Sequence, residues 1–504
     1  MTGKLARHHS RFVIFLILLV IVSLSCLCLP SNIFPTSTSP TPPAPFITTV
    51  APDRPTNTIP PESPTDTTQP GVETPISSPA NLDETGPWLL VETNEGLWAS
   101  NADGSGMGQL TDADYWNRNL NAAVQPGGNR VVFLSPASYD LNHMTLNLLS
   151  LPEGTVTKIT DLTSPATEAY TDASPGDFGN SALQAVRDEH NYAWSPDGTR
   201  LAFVGLMDGP SAEIYIYDTV TEQVKRVSTD DAQNYWPSWS PDGETLLYLG
   251  TDFFGVGAGF DTTGVWSARG DGTNVTKLYI PGGGSEEIAG WLDDTTSLLS
   301  TWGGGGTKNL RLFDTVTTET TLLSEDAIIG AVTDSWRGAA VFADSTGLYL
   351  LTNENRVPTQ VSQEQVARID NVEPGEFFFT VYYANGMLST YGTSEYDQQD
   401  SPINADTGSL DVDMYGIIWG WTSEDNSEAG AWITGPGVEI GKIFDYNARL
   451  PTWDEHNNLL FFAPYADTYG YNLYRTTFDA YYRDLEMVGF IDAEVIEVAW
   501  LGGQ

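Results

Sequence analysis

Residues 191–205 read NYAWSPDGTRLAFVG, and residues 235–250 read YWPSWSPDGETLLYLG. Trp194 and Trp239 therefore stand 45 positions apart in the same local sentence. In Ser195-Pro196-Asp197-Gly198, proline fixes φ at the first corner of a tight turn. Aspartate accepts the second corner, and glycine tolerates the positive φ that closes it. An apolar run ends at Trp194 before the turn. A second, Leu201-Ala202-Phe203-Val204, follows it at strand length, so the pair reads as a β-hairpin. A further hairpin comes at once: Glu213-Ile214-Tyr215-Ile216-Tyr217-Asp218, a polar turn over Thr219–Glu222, then the alternating Gln223-Val224-Lys225-Arg226-Val227. Four strands at this period make one blade of a β-propeller.

Degraded copies of the unit run along the chain. Val124-Gln125-Pro126-Gly127-Gly128 precedes Arg130–Leu134, Trp291-Leu292-Asp293-Asp294 precedes Ser297–Leu299, and Trp336-Arg337-Gly338 precedes Ala340–Phe342. Val372-Glu373-Pro374-Gly375 precedes Phe377–Phe379, and Trp453–Asn458 precedes Leu459–Phe462. The steps from Trp239 to Trp291 and from Trp291 to Trp336 are 52 and 45 residues, and Asn309–Thr317 repeats the hairpin of Ile214–Thr221. At the ends, Trp88-Leu89-Leu90-Val91, Gly96–Ser100 and Gly108–Thr111 make a unit that lacks an innermost strand. Val495-Ile496-Glu497-Val498-Ala499-Trp500 is an innermost strand that lacks a unit. The expectation is an all-β fold: a single propeller of four-stranded blades whose C-terminal strand completes the first blade and removes exposed edges. Starts near 88, 124, 194, 239, 291, 336, 372 and 453 count eight blades, or seven if two weaker starts merge. The segment 412–446 reads either as a ninth start or as part of a long seventh blade.

The pattern apolar-x-Trp-Ser-Pro-Asp-Gly-x-x-Leu-apolar-Phe/Tyr, then Ile-Tyr-x-x-Asp, resembles the WD40-like repeats of TolB-type β-propellers. Asn101–Gly106 followed by Gln109-Leu110-Thr111 resembles their third turn and outer strand. The resemblance spans about 88–504 and is sharpest at 189–250 and 97–111. It implies the fold. It does not carry over that family's partners, because residues 30–87 cannot form the N-terminal α/β domain that TolB has. Related propellers also cap peptidases that carry a hydrolase domain after the ring, whereas this sequence runs to Gln504.

The first 87 residues differ in kind. Lys4, Arg7 and Arg11 precede Phe12–Leu29, 18 residues without a charge. That length spans a bilayer if barely tilted, and the basic flank favours a cytoplasmic N-terminus. Three fates stay open: a retained signal anchor, cleavage after Ser25, or a lipoprotein signal acylated at Cys26. Each exports the remainder, so the expected location is the cell membrane with the propeller on the extracytoplasmic side. Residues 30–87 hold 15 of the 31 prolines, mixed with Thr and Ser. Such a composition buries no core and reads as a disordered linker. The expected division is thus 1–29 membrane segment, 30–87 linker, 88–504 propeller.

The chain has 66 acidic and 22 basic side chains, a net charge of −44. That field repels nucleic acid and anionic headgroups and favours cations, basic peptides or neutral glycans. The only cysteines, Cys26 and Cys28, lie in the membrane segment, so the folded region offers no thiol chemistry. Asn101, Asp103, Ser105, Gly106 and Asp112 match much of a calcium loop, but such loops join helices and this one joins strands, which favours a plain turn. His143, His190 and His456 have no metal-ligand spacing and read as solvated rim residues. No catalytic, cofactor or metal residue is assigned. Two aromatic loops are candidate contact sites: Phe253, Phe254 and Phe260 among glycines, and Tyr465, Tyr469 and Tyr471, where sugar stacking is conceivable. The functional expectation is a monomeric, membrane-tethered, non-catalytic binding or scaffolding module for proteins or glycans at the cell surface. The alternative is a carbohydrate-active or other hydrolase or lyase using paired acids at the channel mouth.

Overall fold

The computed structural model describes residues 71–72 and 81–502, apart from 112–118, 136–143, 164–177, 189, 210, 230–231, 253–261, 280, 282–283, 303–307, 336–337, 372–376, 386, 393–398, 401–407, 413–418, 425–428, 435–440, 466–469, 478–481 and 483. The expected membrane segment 1–29, with Cys26, and most of the linker lie outside the described residues. Among the described residues no helix is long and apolar enough to cross a membrane.

The Ser-Pro-Asp-Gly turn forms as its residue types dictate. Gly198 closes it at φ +66° and Gly243 closes the second copy at +68°. Ser195 Oγ donates to Asp197 Oδ1 (2.6 Å) and accepts from the Arg200 amide (2.9 Å). Ser240, Asp242 and Thr245 repeat this geometry at 2.6 and 2.9 Å. Each turn thereby satisfies its own polar groups and leaves the flanking apolar residues to alternate into strands. The next turn is equally regular: Asp218 Oδ1 accepts from the Val220 and Thr221 amides, and Asp314 Oδ1 from those of Val316 and Thr317.

Among the described residues the strands form eight sheets with antiparallel neighbours. Seven have four strands. The eighth has seven, because strand Thr320–Asp334 serves two groups: it pairs with Lys308–Asp314 on one side and with Ala339–Asp344 on the other. Divided within that strand, the described residues form nine four-stranded groups where eight starts were expected. The ambiguous segment near 412–446 is the difference. Gly408–Val412, Trp419–Ser423, Gly430–Thr434 and Gly441–Phe444 make a sheet of their own.

The ends meet as the pattern predicts. Val495–Leu501 pairs along Trp88–Thr93, with Leu90 opposite Ala499 and Val91 opposite Val498. Residues 81–83 are also tied down: Asn101 Nδ2 donates to the Asn81 carbonyl (2.8 Å), and the Asp83 amide donates to Asn101 Oδ1 (2.8 Å). Asn101 therefore spends its side chain on the chain itself, in keeping with a turn. Gly71–Val72 pairs with Thr157 and Lys158 at the outer edge of the sheet built on Arg130–Ser135, Thr145–Ser150 and Thr155–Asp161.

Adjacent groups are joined by the repeated tryptophan. The indole N–H of Trp194 donates to the Ala123 carbonyl (2.9 Å), that of Trp239 to the Ala193 carbonyl (3.0 Å), and that of Trp291 to Ser238 Oγ (3.0 Å). Each bond runs from the first strand of one group to the innermost segment of the group before it. A second contact repeats beside it. Gln125 Nε2 donates to the Gly198 carbonyl (2.7 Å), and Arg200 Nη2 donates to the Gly243 carbonyl (3.1 Å) while its guanidinium lies 5.0 Å from the Trp239 ring centroid. The largest apolar core runs from Trp88 to Phe313 and includes Ala499 and Leu501.

Candidate functional site

Two helices absent from the sequence reading position the site. The first, α1 (Leu120–Ala123), is capped by Asn119, whose Oδ1 accepts from the Ala122 amide (3.0 Å). Its start is fastened to the far end of the chain, since Glu497 accepts from the Leu120 amide (2.9 Å) and from Asn121 Nδ2 (3.0 Å). The second, α2 (Phe178–Val186), buries Ala182, Leu183, Ala185 and Val186. Asn191 Nδ2 donates to the Val186 carbonyl (2.7 Å) and satisfies its C-terminal end. α2 delivers Asp188 and His190 to the start of strand Tyr192–Trp194.

Between α1 and the first strands of the next two groups lies an open cleft of about 330 Å³. Its lining is mostly apolar, with Val124, Pro126, Tyr192, Trp194 and Pro237, and includes His190. The volume is at the lower limit of small-ligand sites, roughly 300–1,000 Å³. A β-bulge shapes one end. In strand Gln233–Trp239 the register slips between Tyr235 and Ser238, and Trp236 takes φ +52°. A bulky side chain rarely adopts that conformation, and bulges re-aim side chains. Here the indole N–H is aimed at Asp188 Oδ1 (2.6 Å), and the ring meets the His190 ring edge-on at 5.3 Å.

Asp188 Oδ1 also accepts from the His190 amide (3.1 Å) and faces His190 Nδ1 at 3.4 Å. Burial pushes the Asp188 carboxyl up, but the bonds from His190 and Trp236 outweigh it and hold it below the ordinary aspartate range. All of these contacts fall on one oxygen. Oδ2 has no hydrogen-bond partner among the described residues. The site is thus a mostly apolar slot whose lining His190 is held from behind by an ionised carboxylate.

His190 departs from the expectation of a solvated rim residue: its side chain is half exposed but paired with Asp188 and packed on Trp236. His456 matches that expectation, with its side chain 72% exposed. Of the aromatic candidates, Phe253, Phe254, Phe260 and Tyr469 lie outside the described residues. Tyr465 is exposed and edge-on to Phe490 at 5.6 Å, and the Tyr471 hydroxyl accepts from Arg449 Nη1 (3.3 Å). Both belong to the group 449–491, and neither lines the cleft.

Among the described residues, Glu213 and Glu286 are the most deeply buried carboxylates. Glu213 is enclosed by Arg226 Nη2 (2.6 Å), Ser211 Oγ (2.6 Å) and Ser228 Oγ (2.5 Å). Glu286 accepts from Thr301 Oγ1 (2.9 Å) and Arg311 Nη1 (3.4 Å) through one oxygen, while Oε2 is unpartnered among the described residues. Burial pushes its carboxyl up. Among the described residues no group of three or more His, Cys, Asp or Glu is placed to hold a metal ion.

No family model matches the chain. It is 32% identical over 105 residues to the Tol-Pal system protein TolB of Alcanivorax borkumensis, covering 20% of this chain and 24% of that protein. It is 39% identical over 54 residues to the uncharacterized peptidase YuxL of Bacillus subtilis, covering 11% of this chain and 8% of that one. The chain thus spans about a quarter or less of the length of these relatives. Among solved structures, a eukaryotic initiation factor superposes with a TM-score of 0.51 at 10% identity, over 83% of this chain and 98% of that one. TolB of Acinetobacter baumannii aligns over 55% of this chain and 65% of that one at 18% identity, with a TM-score of 0.30. These likenesses concern the fold, and together with the sheets they support a TolB-like β-propeller.

Proposed function

We propose that this chain is an exported, membrane-tethered β-propeller that binds a protein or glycan at the cell surface without transforming it, and that the 190–194 cleft is its recognition site. In this reading the groups close into one ring, the segment 12–29 holds the chain to the membrane, and the Pro-rich linker spaces the ring from it. At roughly 3 Å per residue, a polyproline-type linker of that length reaches on the order of 100 Å. The observation that carries the reading is the cleft itself. Neighbouring groups are fastened by the Trp194 and Trp239 bonds on either side of it, so its walls are held rigid before any ligand arrives. Rigid apolar walls with one oriented polar group are the ordinary form of a binding site.

The test is retention of cell-envelope fractions, both proteins and polysaccharides, on the immobilised full chain. The reading expects a retained species that is released unchanged and is lost when Tyr192→Ser and Pro237→Ser open the cleft. Retention of nothing would remove the reading. Release of a cleaved product would replace it with the hydrolase or lyase alternative.

A further inference from the structure

A sheet edge left uncovered offers its backbone to any extended chain, and proteins keep such edges short, charged or covered. Most outermost strands here are short. Gly108–Gln109 and Gln399–Asp400 have two residues, and Gln223–Arg226, Thr276–Tyr279, Thr359–Ser362 and Gly441–Phe444 have four. Among the described residues two run to seven, Thr155–Asp161 and Leu485–Ile491. The first carries Lys158 at its middle and is met there by Gly71–Val72 of the linker. The second pairs with Tyr471–Thr476 on its inner side, and among the described residues no strand covers its outer side. Its register slips at Val488, which puts Met487 and Phe490 on one face, opposite Tyr474 and Asn472. Phe490 lies edge-on to Tyr465, and Tyr474 is linked through Phe444 to Tyr446 by ring contacts of 4.9 and 5.6 Å. Tyr446, Tyr465, Met487 and Phe490 are 74%, 51%, 57% and 42% exposed. Four large apolar side chains thus gather at the one long edge that is left open, the form an interaction surface takes.

We propose that the outer edge of Leu485–Ile491 takes up an extended segment of a protein partner as an added strand, with apolar side chains on Met487 and Phe490 and a Lys or Arg on Glu486. The pairing of Gly71–Val72 with Thr157 and Lys158 is the same mode, used by this chain on its other long edge. The chain's own linker leads away from the open edge: Asn81 is bonded to Asn101 in the first group, and Gly71–Val72 lies beyond it on the second. The rim selects a base, since Asp484, Glu486 and Asp492 are exposed and have no basic partner among the described residues. A second copy would bring the same acids and a net charge of −44, and would be repelled. The edge backbone supplies affinity, while the apolar face and the acids supply choice. Alternate side chains of an added strand share one face, as Met487 and Phe490 require. None of these residues lines the 190–194 cleft, so the assignment stands apart from whatever that cleft binds.

The probe is a random decapeptide library displayed on phage and selected on the full chain in detergent. The expected winners alternate apolar residues and carry a Lys or Arg. A synthetic winner should slow amide exchange in Leu485–Ile491 and leave Tyr192–Trp194 unchanged. It should bind the double variant Met487→Lys, Phe490→Lys roughly 10-fold or more weakly, because apolar contact is lost and the new charges repel the base. Both positions are exposed, so thermal unfolding should barely move. Glu486→Lys should weaken binding in the same direction, and raising the salt should weaken the wild-type complex more than that one. Winners without a base, protection at 192–194 in place of 485–491, or affinities unchanged in both variants overturn the proposal. Slow exchange of every amide of 485–491 in the chain alone also overturns it, since the linker or a second copy would then already cover the edge. Selection of no peptide overturns it too, while retention of a glycan in the envelope test would leave the binding reading in place.

Discussion

The indole N–H of Trp500 donates to Thr452 Oγ1 at 2.8 Å, joining the final strand of the chain to the first strand of the group that precedes it. It is the same bond that Trp194, Trp239 and Trp291 make to their own predecessors, formed here between the two ends of the repeat array. On the other side of the final strand, Glu497 holds the start of α1. The last strand is thus fastened to both neighbours by side chains as well as to Trp88–Thr93 by its backbone.

Removing that bond should loosen the array at its seam. Thr452 is buried, and Thr452→Val leaves the indole donor unpaired while keeping the shape. A loss of about 1–2 kcal/mol is expected in denaturant unfolding. Trp500→Phe in the Thr452→Val background should add less than it does alone, and a double-mutant cycle measures the difference. Additive losses would show that the two residues act separately.

The glycines that close equivalent turns should not be equivalent. Gly127, Gly198 and Gly243 all have φ near +60 to +70°. A Cβ at Gly127 meets nothing within 4 Å, so Gly127→Ala should cost about 1 kcal/mol from the backbone alone. At Gly243 the nearest atom is the mobile tip of Arg200, 3.2 Å away, and the cost should be only slightly larger. At Gly198 the methyl presses on the Pro126 carbonyl oxygen of the neighbouring group, which cannot yield cheaply. Gly198→Ala should therefore cost the most, about 3 kcal/mol. Thermal unfolding of the three variants gives the order.

Arg200 bridges two groups through both its plane and its donors. Arg200→Lys keeps the charge but loses the fork that reaches the Gly243 carbonyl and much of the contact with the Trp239 ring. A loss of about 1 kcal/mol is expected, with the salt dependence of stability little changed. A strong new salt dependence would mean that net charge, not geometry, is what Arg200 supplies.

Glu286 should make stability depend on pH in an unusual direction. Burial raises its folded pKa above the unfolded value. Between those two values the folded state binds the extra proton, so stability falls as pH rises through that window. Below the unfolded pKa, both states are protonated and the penalty vanishes. Glu286→Gln removes the titration. Its stability relative to wild type should be lowest near pH 4 and should increase toward pH 8. A gap that stays constant with pH would mean that Glu286 does not titrate differently in the two states.

The repeat was legible because its turns are local. Ser-Pro-Asp-Gly encodes its own geometry, and the apolar runs on either side follow from it, so the groups at 192–226 and 233–279 and the homeless strand 495–500 could be placed from residues alone. The count was harder. Residues 408–444 form a full group, yet no Pro-Asp-Gly turn marks its first hairpin, and Thr320–Asp334 runs on where a break between groups was expected. The cleft was not legible. It depends on a bulge at Trp236, which looks in sequence like one more packing aromatic, and on α2, whose apolar face at 182–186 is too short to signal a helix in the sequence. Asp188 and Trp236 are 48 positions apart and meet only because consecutive groups lie side by side.

Hydrogen exchange of the final strand tests the closed array most directly. If Val495–Leu501 completes the sheet of Trp88–Thr93, the amides of both strands should exchange together, at the slow rate of global unfolding, and truncation before Val495 should release 88–93 to fast exchange. Rapid exchange of 495–501 in the intact chain, with 88–93 still protected, would contradict it.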